Sequence, residues 1–172
     1  MYRRILSAVI LCTVLLQAGA AGTDRNRDKS DDGFTTIVFD RAHSPVPYRI
    51  PAIAETRRGT LLAACDFRFS HTDVGWNNRN GRWQINVVMK RSEDHGRTWS
   101  DTLCVARGDE QAADTVRTAF GDPCIVADRT SDNVLMSCVA GKTGYQTATR
   151  RNPMHAFFFR STDGGRTWDN GT

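Results

Sequence analysis

The sequence predicts an all-β protein built from a repeated four-strand unit, the construction of a β-propeller blade. Three observations predict it. The stretch Ser92-Glu93-Asp94-His95-Gly96-Arg97-Thr98-Trp99 returns as Ser161-Thr162-Asp163-Gly164-Gly165-Arg166-Thr167-Trp168, so both copies read S-x-D-x-G-x-T-W. Ser92 to Ser161 spans 69 residues and Pro51 to Pro123 spans 72, two landmarks repeating at nearly one period. Beyond the first 20 residues no stretch carries a convincing helical period, while short apolar runs bounded by turn residues recur. One such unit cannot bury both of its faces, so about two units predict further neighbours.

Residues 1–20 read as a secretory signal peptide. Arg3 and Arg4 form the charged start, Ile5 to Leu16 the apolar core, and Ala18-Gly19-Ala20 a small-x-small cleavage site. The apolar run falls short of the roughly 20 residues a membrane span needs. Export to a periplasm or to the outside of a cell is therefore expected, with no span after cleavage. Residues 21–33, including Asp24-Arg25-Asn26-Arg27-Asp28-Lys29-Ser30-Asp31-Asp32, form a polar linker without core residues.

Ordered structure is expected from Phe34, with Phe34-Thr35-Thr36-Ile37-Val38-Phe39 as a strand. Tyr48-Arg49-Ile50-Pro51 leads into Ala52-Ile53-Ala54. Thr56-Arg57-Arg58-Gly59 then turns the chain, and Thr60-Leu61-Leu62-Ala63-Ala64-Cys65 returns it, a hairpin signal. Residues 67–83 are polar and read as a loop. Gln84 to Lys90 is the third strand, the first clip follows, and Thr102 to Ala106 is the fourth. The cycle restarts with Pro123 to Ala127, a turn at Asp128 to Asp132, Asn133 to Val139, a polar loop from Gly141 to Asn152, and Ala156 to Arg160 before the second clip.

The clips are turn chemistry. Ser and Asp oxygens accept from nearby backbone N–H groups, and glycine permits a positive φ. Thr-Trp then re-enters a strand. The clips are read as scaffold, with no ligand.

Composition is ordinary for a globular chain: 40% hydrophobic and 24% charged over 172 residues. The formal charge of +4 falls to +2 once Arg3 and Arg4 are removed, and the arginines are scattered, which argues against nucleic acid. Cys65, Cys104, Cys124 and Cys138 permit disulfides in an exported protein, with three pairings open. Buried free thiols among apolar neighbours are the other reading. His43, His71, His95 and His155 lack metal-ligand spacing, and no C-x-x-C occurs, so no metal and no cofactor are expected.

Taken together, the residues resemble the sialidase (neuraminidase) family of the bacterial exo-α-sialidase type. Tyr48-Arg49-Ile50-Pro51 is similar to its F/Y-R-I-P arginine motif and the two clips to its Asp boxes. Asp66-Phe67-Arg68 and then Thr72-Asp73 fall where that family has a second pocket arginine and its acid/base aspartate, and Gly121-Asp122-Pro123 resembles the Asp-Pro element that opens its second blade. The resemblance covers roughly residues 34–172. It implies a six-bladed propeller, of which about two blades are present, and retaining release of terminal sialic acid from glycoproteins, glycolipids and oligosaccharides. The implied partners are sialylated glycans.

The resemblance implies roles that the physics suits. Sialic acid carries a carboxylate on its anomeric carbon, and a guanidinium binds a carboxylate through paired, charge-assisted hydrogen bonds. Arg49 would be one of three arginines doing so; otherwise it is an edge-strand surface arginine. Asp73 would be the general acid/base, protonating the leaving aglycone; otherwise it caps a turn. Arg68 and Asp122 would contact the O4 side of the sugar; otherwise they form a surface pair. Trp76 and Trp83 could line the pocket, with core packing the expectation for Trp83.

Sialidases use a tyrosine nucleophile, paired with a glutamate late in the chain beside two further arginines. Tyr48 and Tyr145 match neither position, so the chain is expected to be an amino-terminal part, inactive alone. Two other readings stand beside this one. A non-catalytic Asp-box propeller that binds glycans or proteins would have no need of Arg49, Arg68 and Asp73 together. A glycosidase of neutral glucans would leave a buried guanidinium without a partner.

Overall fold

The computed structural model describes residues 34–44, 47–69, 73–76 and 83–172. The expected signal peptide and linker lie outside these residues. Two antiparallel sheets form. The first has the order β1 (Tyr48–Glu55), β2 (Leu61–Arg68), β3 (Ile85–Ser92) and β4 (Leu103–Ala106). The second has the order β5 (Phe120–Ala127), β6 (Val134–Ala140) and β7 (His155–Ser161). A single 3-10 turn, Thr115–Thr118, joins them, its start capped by the Asp114 side chain. After the second clip residues 169–172 run beside β7, with backbone bonds between Phe158 and Thr172 and from Asp169 N–H to the Arg160 carbonyl.

Three expectations need correction. Phe34 to Phe39 forms no strand. Its β-rich composition finds no ladder partner among the described residues, and strand preference is realised only through pairing. The first polar loop begins later than expected, because β2 continues through Phe67 and Arg68. β5 begins at Phe120, ahead of Pro123.

That early start depends on a bulge. Gly121 pairs with Val139 and Cys124 with Ser137, so one extra residue enters β5. β1 carries the same device: Arg49 pairs with Asp66 and Ala52 with Ala64. In each bulge a left-handed residue, Ile50 (φ 51) or Asp122 (φ 52), precedes a proline. Proline lacks an N–H and is tolerated where the ladder is broken. A left-handed non-glycine backbone costs of order 1–3 kcal/mol.

The sheets pack face to face through Leu62, Ala64, Val87 and Met89 on one side and Ile125, Met136, Phe157 and Phe159 on the other. Each large apolar side chain buried there contributes about 1.5–3 kcal/mol. Phe120 meets Phe157 and Phe159 edge-on, with ring centroids 5.2 and 5.5 Å away. Ion pairs bridge the rim: Arg57 and Arg58 to Asp132, and Arg166 to Glu93. By repeat register, Leu135 and Phe158 on the second sheet correspond to Leu62 and Met89 on the first. Yet Leu135, Phe158 and Val126 are 36%, 37% and 59% exposed.

The two clips fold alike. Ser92 Oγ accepts from Gly96 N–H and Asp94 from Thr98 N–H and Oγ1; Ser161 and Asp163 repeat this with Gly165 and Thr167. The hydroxyl and N–H of Thr98, with the Ser92 hydroxyl, hold Asp94 down to about 2. At Asp163 slight burial pushes upward, but bonds from Thr167, Ser161 and Arg166 outweigh it and hold the group at about 2. Both values lie below the unfolded value of about 3.9. The stabilisation is therefore present above about pH 4 and lost as pH falls through about 2. Asp94→Asn with Asp163→Asn is expected to flatten the fall of melting temperature between those limits. An unchanged slope would remove the clips from the acid response.

All four cysteines in the described residues are free thiols. Cys65 and Cys138 occupy equivalent positions of β2 and β6 and are buried, which pushes each up to about 12. Cys124 faces solvent. Brief iodoacetamide treatment of the native chain, read by mass spectrometry, is expected to label Cys124 and spare Cys65 and Cys138 until unfolding. Early labelling of the buried pair would contradict this packing.

Candidate functional site

β2 ends in two charged residues that its apolar pattern does not foretell. Asp66 and Arg68 are two apart, so they share the face of Leu62 and Ala64, which looks toward the second sheet. Both are fully buried. Arg68 donates from Nε (2.9 Å) and Nη2 (2.6 Å) to Asp66 Oδ2. The other oxygen of Asp66 accepts the Asp122 backbone N–H at 2.9 Å, across the gap between the sheets. Burial drives the Asp66 carboxyl upward, and the Arg68 charge holds it back.

The same Arg68 Nη2 lies 3.1 Å from Asp73 Oδ1 and 3.9 Å from Asp122 Oδ1. The Asp73 and Asp122 side chains are both about half exposed. Burial, and then the charge of Asp73, push the Asp122 carboxyl up, while Arg68 and Arg49 pull it down. Three of the four expected site residues thus meet at one buried guanidinium. Arg49 stands on exposed β1, paired in register with Asp66, and its charge reaches Asp122. No separate surface Arg68–Asp122 pair exists, because Arg68 is buried.

Asp73 sits on a short turn closed by paired backbone bonds with Trp76, and its Oδ1 accepts Val74 N–H at 2.8 Å. Val74 is buried with Ile85 and Ala119, which anchors the turn. Gly75 (φ +77) presses on the second unit: a Cβ there would lie 1.9 Å from Gly144 N. Gly121 has a matching role. A Cβ on it would stand 2.7 Å from Val74 and 3.3 Å from an Asp66 oxygen.

Trp76 is 53% exposed beside Asp73. Trp83 does not join the core as expected. Its backbone N–H donates to Glu110 Oε1, and Lys142 Nζ lies 5.8 Å from its ring centroid. Among the described residues no three His, Cys, Asp or Glu side chains group so as to hold a metal ion. Nor is any helix among them long and apolar enough to cross a membrane.

Sequence reasoning missed Asp66, Val74, Gly75 and Gly121 as parts of the site. Only Asp66 left a signal: opposite charges two apart on one face of an otherwise apolar strand. Chemically, the cluster offers a half-exposed carboxylate beside a fixed cation, with a second carboxylate and an exposed arginine nearby.

No family model matches the chain. A sialidase of Micromonospora viridifaciens is 33% identical over 132 residues, covering 73% of this chain and 19% of that protein. A sialidase of Bacteroides fragilis is 29% identical over 132 residues, covering 70% and 23% respectively. The chain thus spans about a fifth of the length of these relatives. A Hadza microbial sialidase of known structure is similar in fold, with a TM-score of 0.55 at 24% identity, covering 76% of this chain and 26% of its own. Sequence relatives that are named sialidases, together with a fold shared with a sialidase structure, support this chain as a fragment of the sialidase family.

Proposed function

We propose that this chain is the amino-terminal part of an exported, retaining exo-α-sialidase and supplies two blades of a six-bladed propeller. The observation that carries the reading is the meeting of Asp73, Asp122 and Arg68 where the two sheets join. In this reading Arg49 holds the carboxylate of a terminal sialic acid, and Arg68 and Asp122 face the O4 side of the ring. Asp73 protonates the departing glycan and then activates water. The guanidinium partner suits an anionic sugar, because it keeps its charge at any working pH. The tyrosine nucleophile, its glutamate and two further arginines would come from later blades. The substrates would be sialylated glycoproteins, glycolipids and oligosaccharides.

The test compares this 172-residue chain with the protein encoded by the extended reading frame. The longer protein is expected to release sialic acid from sialyllactose, with the α-anomer appearing first by proton NMR, and the chain alone to release none. A longer protein without turnover, a β-anomer first product, or turnover by the chain alone would each overturn the reading.

A further inference from the structure

We propose that Asp66 is a positioning residue for this site, one buried carboxylate that fixes both the Arg68 guanidinium and the bulge bearing Asp122. Its two oxygens are divided between these tasks. Oδ2 takes both Arg68 bonds, and Oδ1 takes the Asp122 N–H from the other sheet. Arg68 is thereby held with Nη2 toward Asp73, and Asp122 is held in a left-handed conformation that no glycine eases.

The molecule contains its own control. By the register of the two bulges, Val139 of the second unit corresponds to Asp66 and Gly141 to Arg68. The same place in the same fold is therefore filled without charge. A buried ion pair stabilises a fold little compared with apolar residues of similar volume, so the repeat gives no architectural reason for this one. What distinguishes the first unit is that its pair abuts Asp73 and Asp122. Gly121 completes the arrangement by leaving space over the carboxylate, where a Cβ would approach both oxygens at 3.3 and 3.4 Å.

The positioning half stands on geometry alone; its consequence for turnover rests on the sialidase reading above. In the nitrogen-15-labelled chain, Arg68 Nε–H and the Asp122 amide are expected to exchange slowly with deuterium. Asp66→Asn has one acceptor oxygen and cannot serve both donors. It is expected to speed exchange at one or both by about tenfold or more, equivalent to about 1.4 kcal/mol, while Met136 and Phe157 amides keep their protection. Unchanged exchange at both would overturn the proposal.

Should Asp66→Asn fail to fold, Asp66→Val with Arg68→Met, which copies Val139 and fills the arginine's volume, decides the matter. Melting within about 4 °C of the parent with lost Asp122 protection supports a role in the site. A much lower melting point makes the pair a requirement of the fold and overturns the proposal. In the longer protein Asp66→Asn is expected to lower kcat about 100-fold and to move the pH profile. An unmoved profile with kcat per folded molecule intact would overturn the functional half. Altered exchange in the chain beside an inactive longer parent would sink the sialidase reading and leave the positioning intact.

Discussion

Asp73→Ala in the longer protein is expected to lower kcat/KM on glycan sialosides by about 10²–10⁴-fold, the range for removing a general acid. On aryl sialosides the loss should be far smaller. A sugar hydroxyl is a poor leaving group and needs a proton as the bond breaks, whereas a phenolate of low pKa departs without one. The placement of Asp73 suits this task. Its turn is pinned by buried Val74, its carboxylate is half exposed, and one oxygen touches the Arg68 guanidinium at 3.1 Å. The substrate contrast is the decisive readout. An equal loss on both substrates would assign Asp73 to holding Arg68 and remove it from the proton transfer.

The second large effect is structural. Gly75→Ala is expected to destabilise the chain by about 2–5 kcal/mol. A left-handed backbone costs an L-residue about 1–2 kcal/mol, and overpacking adds about 1–3 kcal/mol. The collision is with backbone: Gly144 N at 1.9 Å and the Thr143 carbonyl carbon at 2.4 Å, neither of which can swing aside as a side chain would. Gly164 provides the comparison, since its φ of +70 is similar but no atom lies within 4 Å of its missing Cβ. The first clip even places His95 there, with φ 59. Gly164→Ala should therefore show the backbone term alone. Thermal unfolding of the two variants separates the terms, at roughly 2–4 °C per kcal/mol. Equal shifts would mean that the Asp73 turn does not bear on the second unit.

Most of the fold was legible because it is written in local signals. Apolar runs, turn residues and the two clips placed seven strands within a few residues, since each strand's pattern and its bounding turn agree. Phe34 to Phe39 carries the same pattern and forms no strand, because pairing partners are not encoded in the segment itself. Of the candidate site, the sequence named three side chains that lie together around one guanidinium, Arg68, Asp73 and Asp122. What holds them was not legible. Asp66 reaches Asp122 across 56 positions of chain, and Gly75 meets Gly144 across the join between sheets. Contacts of that range follow from the stacking of the two units, which no local pattern states.

The stripe of Val126, Leu135 and Phe158 has a consequence of symmetry. The face one unit offers is not the face its neighbour uses to meet it, so the contact is heterologous, head to tail. Two such units can never satisfy each other as a closed pair. Each addition covers one stripe and presents the next. Such a series ends when the rotation per step returns the last unit to the first, or when a last unit turns a polar outer face to water. The angle between the two sheets therefore bears on more than local packing: it sets whether a stack of such units would close on itself or need a polar cap.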